Sequence, residues 1–199
     1  VGWEPYPLSL RIVFWIRFLL NHNFSEKKII QSIKAQSIAL EKQLEFHIMG
    51  NHLLENAIAL VFTSVFFRDD KQWKKASNLL LKELDEQILS DGSHFELSPM
   101  YHSIILYRLL DVIQLLKFSG WSEIKDEINK CESVAGKMVS WLKTICYDGG
   151  NYPLFNDAAI GIAPSPLDLF NYANFLEIQT IENLQLSSSG YRKLVSDTW

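Results

Sequence analysis

Several common features are scarce in this sequence, and each scarcity excludes a class of protein. Its 199 residues include two cysteines, Cys131 and Cys146, which define neither a disulfide framework nor a zinc site, so we interpret both as packing residues. Lysine and arginine number 19 against 23 aspartate and glutamate, without a basic run, so no nucleic-acid partner is expected. A net charge of −4 still permits an anionic polymer, because a groove can be locally basic on an acidic protein.

Long hydrophobic runs are also missing. The most apolar segment near the start, LSLRIVFWIRFLL, is interrupted by Arg11 and Arg17 and is too short for a transmembrane segment. The sequence shows no signal-peptide pattern, but it begins at Val1 and stops at SDTW within a pattern, so we expect both ends to be cut. No set of His, Asp and Glu has metal-ligand spacing, so neither a metal nor a cofactor is predicted.

Helical periodicity is what the sequence does contain. In SEIKDEINKCESVAGKMVSWLKTI, apolar residues recur every three or four positions and fall on one helix face. Ser122 is a candidate N-cap, and the DGG at 148–150 is a stop signal. The same pattern predicts helices at about 8–22, 26–49, 52–67, 71–89, 99–118, 122–146 and 166–177.

These helices favour an all-α fold. Segments such as LLENAIALVFTSVFF are apolar on more than one face, which is typical of helices inside a layered arrangement. Antiparallel hairpins in two layers, as in an (α/α) barrel or an arc of one, fit better than a four-helix bundle, and no repeat motif is visible. Only the end differs, where Tyr191, Arg192, Leu194 and Val195 predict the start of a strand.

Two predicted helix starts carry side chains suited to an anionic ligand. Gly50 ends one apolar run, and Asn51 and His52 open the next helix. In SHFELSPMYH, serine followed by proline is a strong helix start, so Tyr101 and His102 fall in the first turn. Helix N-termini present unpaired N–H groups and a positive potential. The alternative is structural, with Asn51 as a cap, hydrogen-bonded histidines and a packed Tyr101, and spacing alone leaves both interpretations open.

Four sequence segments, taken in their order along the chain, resemble a known family. WEPYPLSLRIVFWIRFL, LEFHIMGNHLLENAIAL, DGSHFELSPMYHSIILYRLLDVI and PLFNDAAIGIAP resemble the helical catalytic domain of heparinase II/III-like and alginate-lyase-like polysaccharide lyases, from about Trp3 to Tyr191. The resemblance implies an incomplete (α/α) toroid over residues 1–186, truncated before a C-terminal β-sandwich domain that residues 187–199 begin. It also implies that the protein's own β-domain completes the site, and that the protein lies in the periplasm or at the surface of a bacterium.

The resemblance implies an activity and three catalytic residues. Such lyases cleave uronate-containing polysaccharides by β-elimination, so the expected partner is an anionic polysaccharide or oligosaccharide whose uronate the sequence does not specify. Asn51 matches the asparagine that neutralises the substrate carboxylate, with His52 beside it as a second donor or base. Tyr101 matches the tyrosine that acts as acid, and in some cases also as base, at the scissile oxygen. We expect the Asn51 amide and the Tyr101 phenol to converge on one cleft.

Five further residues are candidates for substrate contact. Glu96 lies in the long loop before the helix that begins near Pro99, and Asn156 and Asp157 lie in the FNDAA loop. They are candidates because long ordered loops often carry function, although Asp157 is also a candidate for a turn. The last two are His102, which we expect to orient the loop rather than do chemistry, and Trp3, as a surface on which a sugar ring stacks.

The sequence departs from the family pattern at two positions. Ser93 and Leu97 stand where glycine and arginine are usual, and losing the arginine removes a cation from the groove. Two other functions therefore stay open. A glycoside hydrolase needs two acids across a cleft, for which Glu55, Glu96 and Asp157 are the candidates near loops. A non-catalytic helical scaffold that binds glycan or protein is the third possibility.

Overall fold

The computed structural model describes residues 2–48, 50–121, 124–182 and 184–194. Within those ranges the chain forms seven α-helices and no strand, apart from one isolated β-bridge between Ile88 and His94. The predicted all-α class is therefore confirmed. The helices are α1 Pro5–Asn21, α2 Lys27–Glu41, α3 Asn51–Phe67, α4 Asp70–Gln87, α5 Pro99–Phe118, α6 Lys125–Ile145 and α7 Pro166–Phe175.

Two helix ends differ from the predicted boundaries for identifiable reasons. Helix α1 begins at Pro5 rather than near residue 8, because proline is favourable in the first turn, where no N–H partner is needed. Helix α2 ends at Glu41 rather than near residue 49. Beyond it, the main-chain N–H of Glu45 donates to Oδ1 of Asn56 at 3.0 Å, so this donor does not extend the helix. The predicted cap Ser122 lies outside the described residues.

The predicted strand at the end of the chain is wrong over the part that the structure describes. Residues 191–194 have no regular structure, and Val195 lies outside the described residues. The hydroxyl of Tyr191 donates to the carbonyl of Leu97 at 2.7 Å, and Nζ of Lys193 donates to the carbonyl of Cys146 at 2.6 Å. Side-chain contacts, rather than strand pairing, therefore hold this segment.

The chain divides into two compact units. The first unit comprises Val1–Leu84 with Leu115–Trp121, and the second comprises Asp85–Gln114 with Ser122–Trp199. In the first unit, α3 packs against α1 and α2. Helix α3 is buried from Leu53 to Val65 on every face, as its nearly continuous apolar sequence predicts.

The core of the second unit surrounds α6. Met138, Trp141 and Leu142 are fully buried there. Two glycines allow main-chain segments to approach α6 closely. A Cβ on Gly92 would lie 2.4 Å from the carbonyl of Lys137, and one on Gly136 would lie 2.2 Å from a main-chain oxygen. Across the part of the chain that is described, no helix is long and apolar enough to cross a membrane.

Candidate functional site

Asn51 is the first residue of α3, and it does not cap the helix. The N-cap is Gly50, whose φ of 64° and ψ of −150° lie in a region open essentially to glycine alone, and no side-chain cap bond forms. The capping interpretation of Asn51 is therefore wrong. Its amide is half-buried and makes no hydrogen bond within the described part of the chain, so its donors are available at the positive end of the helix.

His52, the next residue, is held on two sides. Its ring stacks on Tyr6 of α1 with 4.4 Å between the ring centroids and 28° between the planes. Its Nδ1 lies 3.2 Å from Oε1 of Glu45. The side chain is 36% exposed, and no described residue hydrogen-bonds to Nε2. One ring nitrogen is therefore engaged inside the first unit, while the other remains available.

A buried polar cluster lies behind His52. Glu45, Asn56 and Ser9 are all buried. Nδ2 of Asn56 donates to Oε2 of Glu45 and to Oγ of Ser9, each at 3.1 Å, and the Ser9 hydroxyl donates to the carbonyl of Pro5 at 2.9 Å. Sequence patterns did not identify Glu45 or Asn56 as part of the site. Their only sequence signal is that Asn56 lies four residues after His52, on the same helix face.

Tyr101 lies in the first turn of α5, as the sequence predicts. Its N–H donates to the hydroxyl of Ser98 at 3.5 Å, so Ser98 acts at the predicted cap position. The Tyr101 ring is half-buried, and its phenol hydroxyl makes no hydrogen bond to any described residue. This hydroxyl is therefore free to act on a ligand.

Both ring nitrogens of His102 contact the protein itself. It is fully buried; its Nδ1 accepts from the main-chain N–H of His94 at 3.2 Å, and its Nε2 donates to the carbonyl of Met138 at 3.0 Å. Burial, reinforced by His94, lowers the pKa of His102 to about 3. With both nitrogens engaged in the protein, His102 is removed from our set of substrate contacts, and its observed contact holds the loop that contains His94.

His94 is a second buried, neutral histidine. Its Nε2 donates to Oε1 of Gln87 at 3.3 Å, and burial lowers its pKa to about 4. Its Nδ1 is buried and has no hydrogen-bond partner among the described residues. The two histidines therefore serve the structure of the second unit rather than a site open to solvent.

The loop before α5 is fastened through the carbonyl of Leu97. That carbonyl accepts from Nδ2 of Asn156 at 3.1 Å and from the hydroxyl of Tyr191 at 2.7 Å. The φ of Leu97 is 54°, and Asn156 and Asp157 also have positive φ values of 46° and 60°. The structure thus brings together the two loops that the sequence singles out.

Two exposed carboxylates belong to these loops. Glu96 and Asp157 are both exposed. Partial desolvation, and then the negative charge of Asp157, raise the pKa of Glu96. The pair makes this part of the second unit acidic. Within the described residues, no group of three or more His, Cys, Asp and Glu is arranged to hold a metal ion.

Trp3 lies in the first unit with Asn51 and His52. Trp3 is 52% exposed, and its carbonyl accepts from Nε2 of Gln43 at 2.8 Å. An exposed indole offers a flat apolar face of the kind on which a sugar ring can stack. Tyr6, another aromatic residue of this unit, is already stacked on His52.

Comparison with known proteins adds a family and a fold. The family described as heparinase II/III N-terminus matches residues 3–179. A heparin-sulfate lyase of Bacteroides stercoris is 27% identical over 165 residues, which are 78% of this chain and 22% of that protein. The chain therefore spans about a fifth of the length of this curated relative.

Solved structures show the same helical arrangement. A crystal structure of heparinase III has a TM-score of 0.69 at 19% identity and covers 86% of this chain and 28% of its own. A second heparinase III structure has a TM-score of 0.71 at 19% identity, with coverage of 88% and 28%. The predicted fold class, an incomplete (α/α) toroid, is confirmed by this likeness, which concerns the fold alone.

Proposed function

Because the chain belongs to the heparinase II/III family and matches the N-terminal region of that family, we propose that it acts as the helical catalytic domain of a polysaccharide lyase. Its substrate is a uronate-containing anionic polysaccharide, and the reaction is β-elimination. The heparin-sulfate lyase name of its relative supports a glycosaminoglycan as the polymer. The protein's own C-terminal β-domain is proposed to complete the site.

The first chemical requirement is to acidify the proton on C5 of the uronate. That proton lies next to a carboxylate and is hardly acidic while the carboxylate keeps its full charge. Hydrogen-bond donors on the carboxylate stabilise the negative charge that develops as the proton leaves, and one such donor is typically worth ~10²–10³ in rate. Asn51 is proposed for this role, because its unengaged amide lies at the N-terminus of α3.

The second requirement is proton transfer. Tyr101 is proposed as the acid that protonates the leaving glycosidic oxygen, and it can also act as the base where the C5 proton and the leaving oxygen lie on the same face of the sugar. His52 is proposed as a second donor or base next to Asn51. The observation that carries the whole proposal is that Asn51 and Tyr101 both lie in first helical turns with polar groups unused by the described protein.

Four residues remain proposed for substrate binding. Trp3 would stack on a sugar ring through its exposed indole. Asn156, Asp157 and Glu96 would accept hydrogen bonds from sugar hydroxyls, because their side chains are exposed. The two carboxylates repel a highly charged polymer, so these loops favour uronate chains of lower charge density.

One assay separates the three functional classes. The full-length protein is incubated with uronate polymers, and we expect unsaturated, ultraviolet-absorbing chain ends. New reducing ends without that absorbance would instead indicate hydrolysis, for which Glu96 and Asp157 would be the acid pair. Binding without either product would indicate a scaffold.

Substitution of Tyr101 by phenylalanine tests its role directly. Tyr101→Phe removes only a hydroxyl that no described residue bonds, so the fold should be retained while elimination is abolished. Tyr147→Phe is the matched control, because Tyr147 is an exposed tyrosine of the same unit and should keep the wild-type rate. A Tyr101→Phe protein that eliminates at the wild-type rate would exclude Tyr101 as acid or base.

A further inference from the structure

The buried cluster behind His52 has an unambiguous pattern of donors and acceptors. Oδ1 of Asn56 faces the main-chain N–H of Glu45 at 3.0 Å, so this atom must be the amide oxygen; a flipped amide would place two donors against each other. Both hydrogens on Nδ2 are then used, one by Oγ of Ser9 and one by Oε2 of Glu45. The orientation of Asn56 is thereby fixed.

The position of the Glu45 carboxylate follows from this orientation. Glu45 is 6% exposed, and a buried carboxylate needs hydrogen-bond donors to offset its desolvation. Asn56 supplies one donor to Oε2, which leaves Oε1 directed at Nδ1 of His52, 3.2 Å away. A carboxylate only accepts hydrogen bonds, so Nδ1 of His52 must carry a hydrogen.

We infer that Glu45 is a positioning residue that fixes His52 as the tautomer with its proton on Nδ1, so that the lone pair on Nε2 serves as the base of the elimination. This inference rests on the proposed function and decides between the two roles, donor and base, that it leaves open for His52. Neutral His52 in this tautomer has no proton to donate from Nε2. The stacked ring of Tyr6 keeps the imidazole plane in place.

The step balances without any further reactant. The C5–H bond breaks and its proton moves to Nε2 of His52, while its electron pair becomes the C4=C5 double bond. The C4–O bond breaks, and the leaving oxygen takes the hydroxyl proton of Tyr101. The imidazolium that forms on His52 is stabilised by the carboxylate of Glu45, just as a carboxylate stabilises the imidazolium of a hydrolase triad. Exchange with water then restores both residues.

The tautomer can be measured without any substrate. Two-bond ¹H–¹⁵N correlation spectra of the labelled 199-residue chain distinguish protonated from unprotonated ring nitrogens, and His52→Gln identifies the His52 signals among five histidines. Above neutral pH we expect Nδ1 to be protonated and Nε2 unprotonated, the opposite of the preference of free histidine. Glu45→Gln should abolish this pattern, because His52 and Asn56 contact different oxygens of Glu45 and glutamine has only one oxygen. With that oxygen towards Asn56, the NH₂ group of the glutamine faces Nδ1 of His52 and favours the tautomer with its proton on Nε2.

Ser9→Ala is the matched control for the spectra. It removes the other acceptor of Asn56 and leaves the contact between Glu45 and His52 unchanged. We expect Ser9→Ala to lower the melting temperature but to keep the His52 tautomer. A tautomer lost equally in Ser9→Ala and Glu45→Gln would show that general loosening, rather than the Glu45 carboxylate, is responsible, and the inference would fail.

Kinetics of the full-length protein provide the second readout. Glu45→Gln should lower kcat about 10- to 100-fold, the usual cost of losing a partner that orients a functional histidine, with KM changed less than about twofold. Glu45→Asp retains a carboxylate and should recover part of kcat. An unchanged kcat in a folded Glu45→Gln protein would overturn the positioning role.

The two proposals fail separately. If the wild-type protein makes no unsaturated product, the proposed function fails, yet the spectra still show whether Glu45 fixes His52. If wild-type His52 carries its proton on Nε2, the inference is overturned even when elimination is observed. The wild-type spectrum alone reveals the tautomer. The inference can therefore be tested even if the Glu45→Gln protein does not fold.

Discussion

The carboxylate of Asp91 binds Ser189 twice, across 98 residues of chain. Oδ2 accepts from both the main-chain N–H and the hydroxyl of Ser189, each at 2.7 Å, and from the N–H of Ser188 at 3.1 Å. Oδ1 accepts from the N–H and hydroxyl of Ser93 at 3.2 and 3.0 Å. The serine that departs from the family pattern at position 93 therefore contributes a hydrogen bond to this anchor.

Asp91→Asn should destabilise the second unit. It should also remove the pH dependence that the Asp91 carboxylate gives to the unfolding free energy. Burial raises the pKa of the Asp91 carboxyl, but the hydrogen bonds from Ser189 and Ser93 outweigh burial and hold it below its ordinary value. The stabilisation is therefore present above about pH 4 and is lost as the pH falls further. We expect Asn to cost about 2–3 kcal/mol at neutral pH, because its NH₂ group faces donors.

Urea unfolding between neutral pH and about pH 3 tests this. The difference in unfolding free energy between wild type and Asp91→Asn should shrink as the pH falls. A difference that stays constant with pH would contradict an ionised anchor at Asp91.

The buried histidines predict a second, separate pH dependence. In the folded chain the pKa values of His94 and His102 lie at about 4 and about 3, whereas an exposed histidine titrates near pH 6.5. Below about pH 6.5 the unfolded chain binds more protons, so stability falls as the pH drops towards 4. Each histidine contributes a loss of about 1.4 kcal/mol per pH unit within that window.

Single replacement of His94 or His102 by glutamine should reduce this slope by the contribution of one histidine. The measurement is the unfolding free energy at several pH values between 7 and about 4.5, where Asp91 remains ionised. If neither substitution changes the slope, the two rings do not titrate as their burial requires.

Gly92→Ala should destabilise the protein by more than about 2 kcal/mol. The Cβ would lie 2.4 Å from the carbonyl of Lys137, and the φ of +88° is strained for any residue with a Cβ. Gly149→Ala is the control, because nothing lies within 4 Å of its Cβ, and we expect a change within about 0.5 kcal/mol. The measurement is a thermal melt of each variant, and equal melting temperatures would refute the close approach.

Asn51→Ala should separate activity from stability. Its amide makes no hydrogen bond within the described part of the chain, so the melting temperature should change little, while kcat falls by ~10²–10³ through loss of a donor to the developing charge. Asn78→Ala, at an exposed position of α4, controls for loss of an asparagine and should leave kcat unchanged. A large fall in melting temperature with unchanged kcat would reverse our assignment for Asn51.

Helical periodicity was sufficient to predict seven helices because it reports which face of each helix is buried. The end of α2 was not predictable, since the segment that follows it is held by a distant partner: the N–H of Glu45 donates to the side chain of Asn56, eleven residues further along. Interactions between separate segments leave no trace in a local pattern. The same limit hid Glu45 as the partner of His52.

Tyr101 and His102 show the same limit of prediction from a local pattern. Tyr101 and His102 are adjacent in the same helical turn, yet the phenol of Tyr101 is free while His102 is buried against Trp141, with 4.5 Å between ring centroids. His102 points towards α6, where it contacts Met138 and Trp141, and a local sequence pattern does not reveal where α6 lies. The strand predicted at Tyr191 failed for a related reason: an aromatic residue of high β-propensity is used here to hydrogen-bond a loop carbonyl.

The main chain of Leu97 fastens its loop, since Asn156 and Tyr191 both donate hydrogen bonds to its carbonyl oxygen. Leu97 is half-buried, and its side chain takes no part in these hydrogen bonds. A cationic residue at position 97 would keep these main-chain hydrogen bonds. Under the proposed function, its positive charge next to Glu96 would make the binding of an anionic polymer more sensitive to ionic strength.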